Sequence, residues 1–273
     1  MDIFDQLADK PFCIHASMRS FGDSKTNPES IADQLLDAGC TLVVPTFTYR
    51  LEQPPPVHDR PRQNGWNYMD KNDVDKNDVD KNDDMHKQPE HDLVFRATEN
   101  ELSHRDMGAF PAAVLQRHGR KRGNHPLNSF TAIGPSADDI ISTQTPEDVY
   151  GPLEKIIELG GGVLLIGVGY TSMTLLHLAE RNAGRNLFRR WAKNAAGKVI
   201  PCNTGGCSNG FDRFEQVLSP TEMYVGKSRW RLLDASETLS LATDAFKRSP
   251  AFARCADKTC MRCHDGVLGG PLL

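Results

Sequence analysis

Short apolar runs alternate along the chain with segments whose apolar residues recur every three or four positions, the pattern of strands alternating with helices. Phe12 to Ala16 reads as a short strand, and the polar stretch Ser17 to Thr26 as a turn. Asn27 then caps a helix whose first turn holds Pro28, with its φ already helical, and which Gly39 ends. Cys40 to Thr48, rich in β-branched residues, reads as a buried strand. Further along, the pattern predicts a helix over Asp106 to His118 bent at Pro111, and another over Pro152 to Leu159. The turn Gly160-Gly161-Gly162 then leads into a strand over Val163 to Val168. A hairpin turning at Asn194 to Gly197, a helix from about Ser208 and a last helix capped by Asp234, with Glu237 three residues on, complete the series. The expectation is a single layered α/β domain over residues 1–273.

The most informative segment is Gly162 to Glu180, a strand that passes through a glycine turn into a helix carrying His177 and Glu180. Residues three apart share a helix face, so an imidazole and a carboxylate project together just beyond a strand end, where α/β proteins commonly place their chemistry. Two readings stand side by side: a general base with its orienting acid, or a core histidine beside a salt-bridged glutamate.

Composition narrows the functional classes. At 38% hydrophobic content, 273 residues can bury a real core, and no apolar run approaches the roughly 20 residues of a membrane span. Met1-Asp2-Ile3 does not begin a basic-then-apolar signal, so the expected location is the cytoplasm. The net charge of −4 is fully accounted for by Asp70 to Asp84, where seven aspartates face three lysines. With the remainder neutral, there is no basic footprint for nucleic acid or membrane, and small-molecule work is the default. That acidic segment is a tandem pentapeptide within a polar stretch from about Arg50 to Arg105, read as an insertion or mobile loop. As a calcium loop counted from Asp73 it fails, with Asp78 where glycine belongs and Asp84 where glutamate belongs. Seven cysteines, an odd number, suit thiols or metal ligands better than a disulfide framework. The tail pattern Cys255-x4-Cys260-x2-Cys263-His264 carries one rigid half of a zinc site.

The spaced motifs HASMRSFG, TLVVPTFTY, RGNHPLNSFTAIGPSA, LLIGVGYTSMTLLHLAE and GGCSNGFDRF together resemble the aminoglycoside 3-N-acetyltransferases, in order and over nearly the whole chain outside the acidic repeat. The resemblance implies an α/β fold distinct from the common N-acetyltransferase fold. The phosphate loop of that common fold is absent, and Arg120 to His125 fails its last position. Also implied is transfer of an acetyl group from acetyl-coenzyme A to the 3-amino group of the 2-deoxystreptamine ring.

On this reading His177 is the general base, an imidazole being able to change charge near neutral pH. Glu180 fixes its tautomer, and Thr174, on the same helical face, is a candidate donor near the acyl group. The resemblance assigns the acyl donor to Ser17, Arg19, Ser20 and Gly22, with Arg122 offering charge to the phosphates and Ser129 meeting the cofactor. Substrate contacts are expected from Tyr170, from Asn203 where some relatives carry a carboxylate, and from Glu52. Asp92, Glu99, Glu101 and Asp106 are alternative acids from the same long loop. Some relatives also carry a cysteine near Gly205-Gly206, which adds Cys207 to Cys255, Cys260 and Cys263 as ligands of a structural zinc; small buried thiols are the other reading. Oligomeric state is expected to be monomer or homodimer. Other functional classes kept open are acylation of another small amine, a zinc-stabilised binding protein, and a cysteine hydrolase using Cys202 or Cys207.

Overall fold

The computed structural model describes residues 7–22, 26–68 and 93–271; the acidic repeat lies outside them. Strand β1 (Pro11–Ala16) leads through helix α1 (Pro28–Asp37) to β2 (Thr41–Pro45). Asn27 caps α1 by accepting the Ser30 amide at 2.7 Å. After the short β3 (Glu52–Gln53) come α2 (His104–Met107), α3 (Ala109–Gln116), β4 (Lys121–Arg122), β5 (Phe130–Ile133) and α4 (Ala137–Ile141). Helix α5 (Gly151–Glu158), β6 (Gly162–Ile166) and α6 (Leu175–Asn182) follow, then β7 (Phe188–Lys193), β8 (Val199–Thr204), β9 (Thr221–Val225) and β10 (Ser228–Asp234). The chain closes with α7 (Ala235–Arg248), capped by Asp234 on the Glu237 amide, and a tail helix α8 (Met261–Val267).

Seven strands form one mixed sheet in the order β4-β5-β2-β1-β6-β10-β9. Its centre is parallel, β1 lying between β2 and β6, and its flanks are antiparallel. Both faces of the centre are covered, which is why those strands read as continuous apolar runs. Alternation along each strand divides the core in two. Phe12, Ile14, Leu42, Val44, Leu164 and Ile166 face α1 and α3, through Ile31, Leu35, Phe110 and Val114. Cys13, Val43, Val163 and Leu165 face the other helices, through Ile140, Leu153, Leu176, Leu178 and Phe246. Each such side chain, fully buried, contributes roughly 1.5–3 kcal/mol by leaving water. A second sheet of three strands, β3-β7-β8, closes over Leu51, Phe95 and Leu127. Among the described residues no helix is long and apolar enough to cross a membrane.

Four details depart from the pattern reading. The helix expected over Asp106 to His118 breaks at Gly108, at φ 81°, and not at Pro111. Pro111 sits in the first turn of α3, where its missing N–H would have had no intrahelical acceptor. The helix expected from Ser208 is a 3-10 turn over Phe211–Gln216. Strands β4, β5, β9 and β10, which complete the sheet's flanks, have no counterpart in the pattern reading, and neither does α8. Much of the long polar stretch is ordered: Leu51 and Phe95 are buried, and β3 pairs with β7.

Candidate active site

The carboxyl ends of β1 and β6 lie side by side and build one edge together. The turn after β1 is fastened there by the Ser17 amide, which donates to the Ile166 carbonyl at 2.8 Å. Ser20 turns back within this segment, its hydroxyl 2.7 Å from the Ser17 carbonyl and 2.6 Å from the Ser228 hydroxyl on β10. The chain leaves β6 through Gly167 at φ 63°, and a Cβ there would sit 2.1 Å from the Ser20 side chain. Only glycine fits both the backbone and the space. A 3-10 turn over Tyr170–Ser172 then delivers α6. His15 on β1 ties the two ends together, its Nε2 accepting the Thr174 amide at 3.4 Å. Burial holds this imidazole down to about 4, so it stays a neutral acceptor.

His177 stands on the first turn of α6 with its Nδ1 2.7 Å from the Glu180 carboxylate. A carboxylate accepts only, so Nδ1 carries the hydrogen and the Nε2 lone pair faces away from Glu180. Both side chains are 12% exposed. The ring stacks parallel to Tyr150 at 6.4 Å and meets Phe211 at 4.8 Å. The Gly205 backbone lies over it: a Cβ there would come within 2.7 Å of the imidazole and 2.5 Å of the Tyr150 hydroxyl. The other Glu180 oxygen is paired with Arg185, whose guanidinium lies 4.7 Å over Phe246. The imidazole is thus fixed from four sides.

Other candidate residues sort by exposure. Ser17 and Ser20 are half-buried in the turn, and Arg19 and Gly22 are exposed. Thr174 is buried on the face it shares with His177. Arg122 and Ser129 are both buried and bonded within the protein. Arg122 is 7% exposed, and its guanidinium bonds the carbonyls of Thr46, Glu99 and Glu101 as well as the Ser129 hydroxyl. Ser129 is fully buried and donates to Thr46. Burial, followed by neighbouring Arg120, lowers the Arg122 pKa to about 10, which still leaves it charged.

Tyr170 is fully buried, with the Arg231 guanidinium 4.6 Å over its ring. Asn203 is a tether: its side-chain amide donates to the Glu147 carbonyl at 2.8 Å, and its own carbonyl accepts from His125 Nε2 at 2.9 Å. Glu52 lies 40% exposed on β3, 3.3 Å from Arg190. Among the alternative acids, Glu99 pairs with Arg96 and Glu101 with Arg50, while Asp92 lies outside the described residues. Asp106 and Glu52 both act on Tyr49, whose phenol is driven up by burial first and then by Asp106.

A family model described as aminoglycoside 3-N-acetyltransferase matches residues 13–247. The chain belongs to this family. A curated relative, aminoglycoside N(3)-acetyltransferase VIII of Streptomyces fradiae, is 38% identical over 82 residues, a stretch that spans 29% of this chain and 29% of that protein. Among solved structures, a mutant of aminoglycoside acetyltransferase AAC(3)-IVa in complex with a gentamicin superposes with a TM-score of 0.70 at 23% identity, covering 96% of this chain and 91% of that one. AAC-IIIb in a binary complex with CoASH gives 0.68 at 21%, covering 89% and 91%. At these identities the structural likenesses establish the fold. Of the two thiols in the cysteine hydrolase reading, Cys202 is a poor nucleophile: burial drives it up to about 12, so thiolate is scarce.

The side chain that the motif reading missed most clearly is Lys227, on the β9-β10 turn. A side chain at Gly22 would meet its Cδ at 3.1 Å and its Nζ at 3.8 Å, which places a second cation beside the Ser17 to Gly22 turn. Nothing local in the sequence marks it, because β9 and β10 reach that turn only through the sheet. The cysteines of the tail are assembled as well. Cys207, Cys255, Cys260 and Cys263 bring their sulfurs within 4.8 Å of one another, although Cys207 lies far from the others in sequence.

Proposed function

We propose that this chain transfers an acetyl group from acetyl-coenzyme A to an amine, and that the amine is the 3-amino group of the 2-deoxystreptamine ring of an aminoglycoside. The observation that carries this reading is the His177 Nδ1 to Glu180 bond of 2.7 Å at the shared end of β1 and β6, in a chain of this family. Relatives named for the same activity, and neighbours bound to CoASH and to a gentamicin, support it.

His177 Nε2 takes a proton from the amine as its nitrogen attacks the thioester carbonyl carbon. The new C–N bond forms, the C–S bond breaks, and the coenzyme sulfur leaves with the proton that the imidazolium returns. Glu180 holds the ring's orientation throughout and stabilises the transient positive charge. Arg19 and Lys227 would meet the phosphates of the donor at the Ser17 to Gly22 turn, and Glu52 and Asp106 the cationic acceptor.

Coenzyme A release is followed with a panel of aminoglycosides and simple amines. Removing the base in His177→Ala is expected to lower kcat by about 10²–10⁴ with the fold intact by circular dichroism. Turnover with no amine at all overturns the activity, and an undiminished His177→Ala overturns the base. Turnover confined to simple amines reassigns the acceptor.

A further inference from the structure

The four clustered thiols sit at the far end of the segment that covers the catalytic imidazole. Gly205 lies over His177 and Tyr150, Gly206 packs against Phe188, and Cys207 follows at once. Gly210 closes the segment against the tail, where a Cβ would meet the Ala253 carbonyl at 2.2 Å. The chain from Gly205 to Gly210 is therefore gripped between the imidazole on one side and the residues leading to Cys255 on the other.

The donor set fits a tetrahedral thiolate site. With Zn–S near 2.3 Å, tetrahedral sulfurs stand about 3.8 Å apart, within reach of sulfurs already mutually closer than 4.8 Å. The Cys255 amide donates to the Cys263 sulfur at 3.3 Å, an outer hydrogen bond that suits a ligating thiolate. His264 is not a ligand: its Nδ1 lies 2.9 Å from Asp265, and the ring is exposed. Arg185, Arg254 and Arg262 line the same cleft as Cys207 and Cys263 and offset the negative charge of four thiolates. The ligand-bearing helix α8 is anchored independently, since buried Asp265 accepts the Gly65 amide at 2.7 Å.

We infer that Cys207, Cys255, Cys260 and Cys263 bind one zinc ion, and that the ion, acting through Cys207, holds the Gly205-Gly206 backbone against the His177 ring. The site is thus a positioning device for the base as well as a clasp for the tail. Its second half rests on the assignment of His177 as that base.

Protein purified without chelator is analysed for metal, and its histidine imidazole signals are recorded by nuclear magnetic resonance, with His177→Gln assigning the resonance. The expected result is one zinc per chain, lost in Cys207→Ser and Cys260→Ser and kept in Cys202→Ser, whose thiol lies outside the cluster. Stripping zinc from the wild type shifts the His177 signals while those of buried His15 and His125 stay in place, and adding zinc back restores them. Along with this, kcat falls by up to about a hundredfold, the effect expected of a misplaced catalytic group. Protein that neither carries zinc nor takes it up on titration overturns the site, as does full zinc content in Cys207→Ser. Unmoved His177 signals after zinc removal overturn the coupling. Metal content and resonances are read without turnover, so they are decisive even if no amine is acetylated.

Discussion

The turn at residues 17–22 and the loop at 120–129 both bring arginine and serine to the edge of the sheet where β1 and β2 end, and they use them in opposite ways. In the turn, Arg19 is exposed, Ser17 and Ser20 are half-buried, and Lys227 leans in from β10's hairpin. In the loop, every cation is engaged by protein. Arg120 bonds the carbonyls of Ala97, Thr98 and Glu99, Lys121 pairs with Asp138 at 2.7 Å, and Arg122 shares the Glu99 carbonyl and bonds those of Thr46 and Glu101. Residues 96–101 form no helix or strand, so their carbonyls have no ladder partners, and two guanidinium groups supply the missing donors. An arginine beside irregular backbone is thus bound to the fold, whereas one on a tight turn over a sheet edge remains available to a ligand.

The largest expected test of this contrast is Arg122→Ala. It removes four hydrogen bonds and a stacking contact 5.0 Å from Phe95, takes the guanidinium donor from the Glu101 carbonyl, and leaves the Thr46 and Glu99 carbonyls with only Ser129 and Arg120. A loss on the order of 3–5 kcal/mol is expected in urea unfolding. Arg122→Lys recovers only part, since one ammonium cannot span that fork of acceptors. In the fraction that folds, KM for acetyl-coenzyme A is unchanged. A stable variant with a raised KM would instead return Arg122 to the cofactor.

In one respect the two segments are alike: each is held by a buried neutral histidine, His15 below the turn and His125 within the loop. His125 accepts the Leu127 and Asn128 amides on Nδ1, at 3.2 and 2.8 Å, so a proton there would displace both bonds. Burial lowers each histidine from 6.5 to about 4. The unfolded chain therefore binds these protons more tightly than the folded one, and stability falls as pH drops from about 6.5 toward 4, by up to about 3 kcal/mol per histidine. Urea midpoints measured from pH 7.5 to 5 read this slope, and His125→Asn is expected to flatten it. An unchanged slope in that variant removes His125 from the account.

What the sequence made legible follows from how local each signal is. The parallel centre and the His177 to Glu180 pair were readable because strand period, glycine turn and helical spacing lie within one continuous segment. Asn27 and Asp234 were readable as caps for the same reason. The burial of Arg122, Ser129 and Tyr170 was not readable because it is set by distant chain: Arg122 looks exposed until residues 96–101 fold over it. The break at Gly108 was masked by Pro111, the more conspicuous helix breaker, whose place in a first turn makes it harmless. Lys227 and the grouping of Cys207 with the tail both depend on tertiary proximity, and only the tail's own spacing hinted at the second.

The smallest expected effect belongs to the exposed side of the comparison and distinguishes a ligand-facing turn from a merely solvated one. Arg19→Ala and Lys227→Ala should leave the unfolding midpoint where it is, because neither side chain is buried. Each should raise KM for acetyl-coenzyme A by about tenfold, the loss of one charge-assisted contact, with kcat little altered. Charges that meet phosphate in open solvent are also screened, over about 8 Å at physiological salt and 3 Å at 1 M. In the wild type KM for acetyl-coenzyme A should therefore climb with salt, and in the double variant that dependence should flatten. A single variant whose KM and salt dependence match the wild type places its cation outside the donor site, and the same result for both would leave the serines and backbone amides of the turn to hold the donor alone.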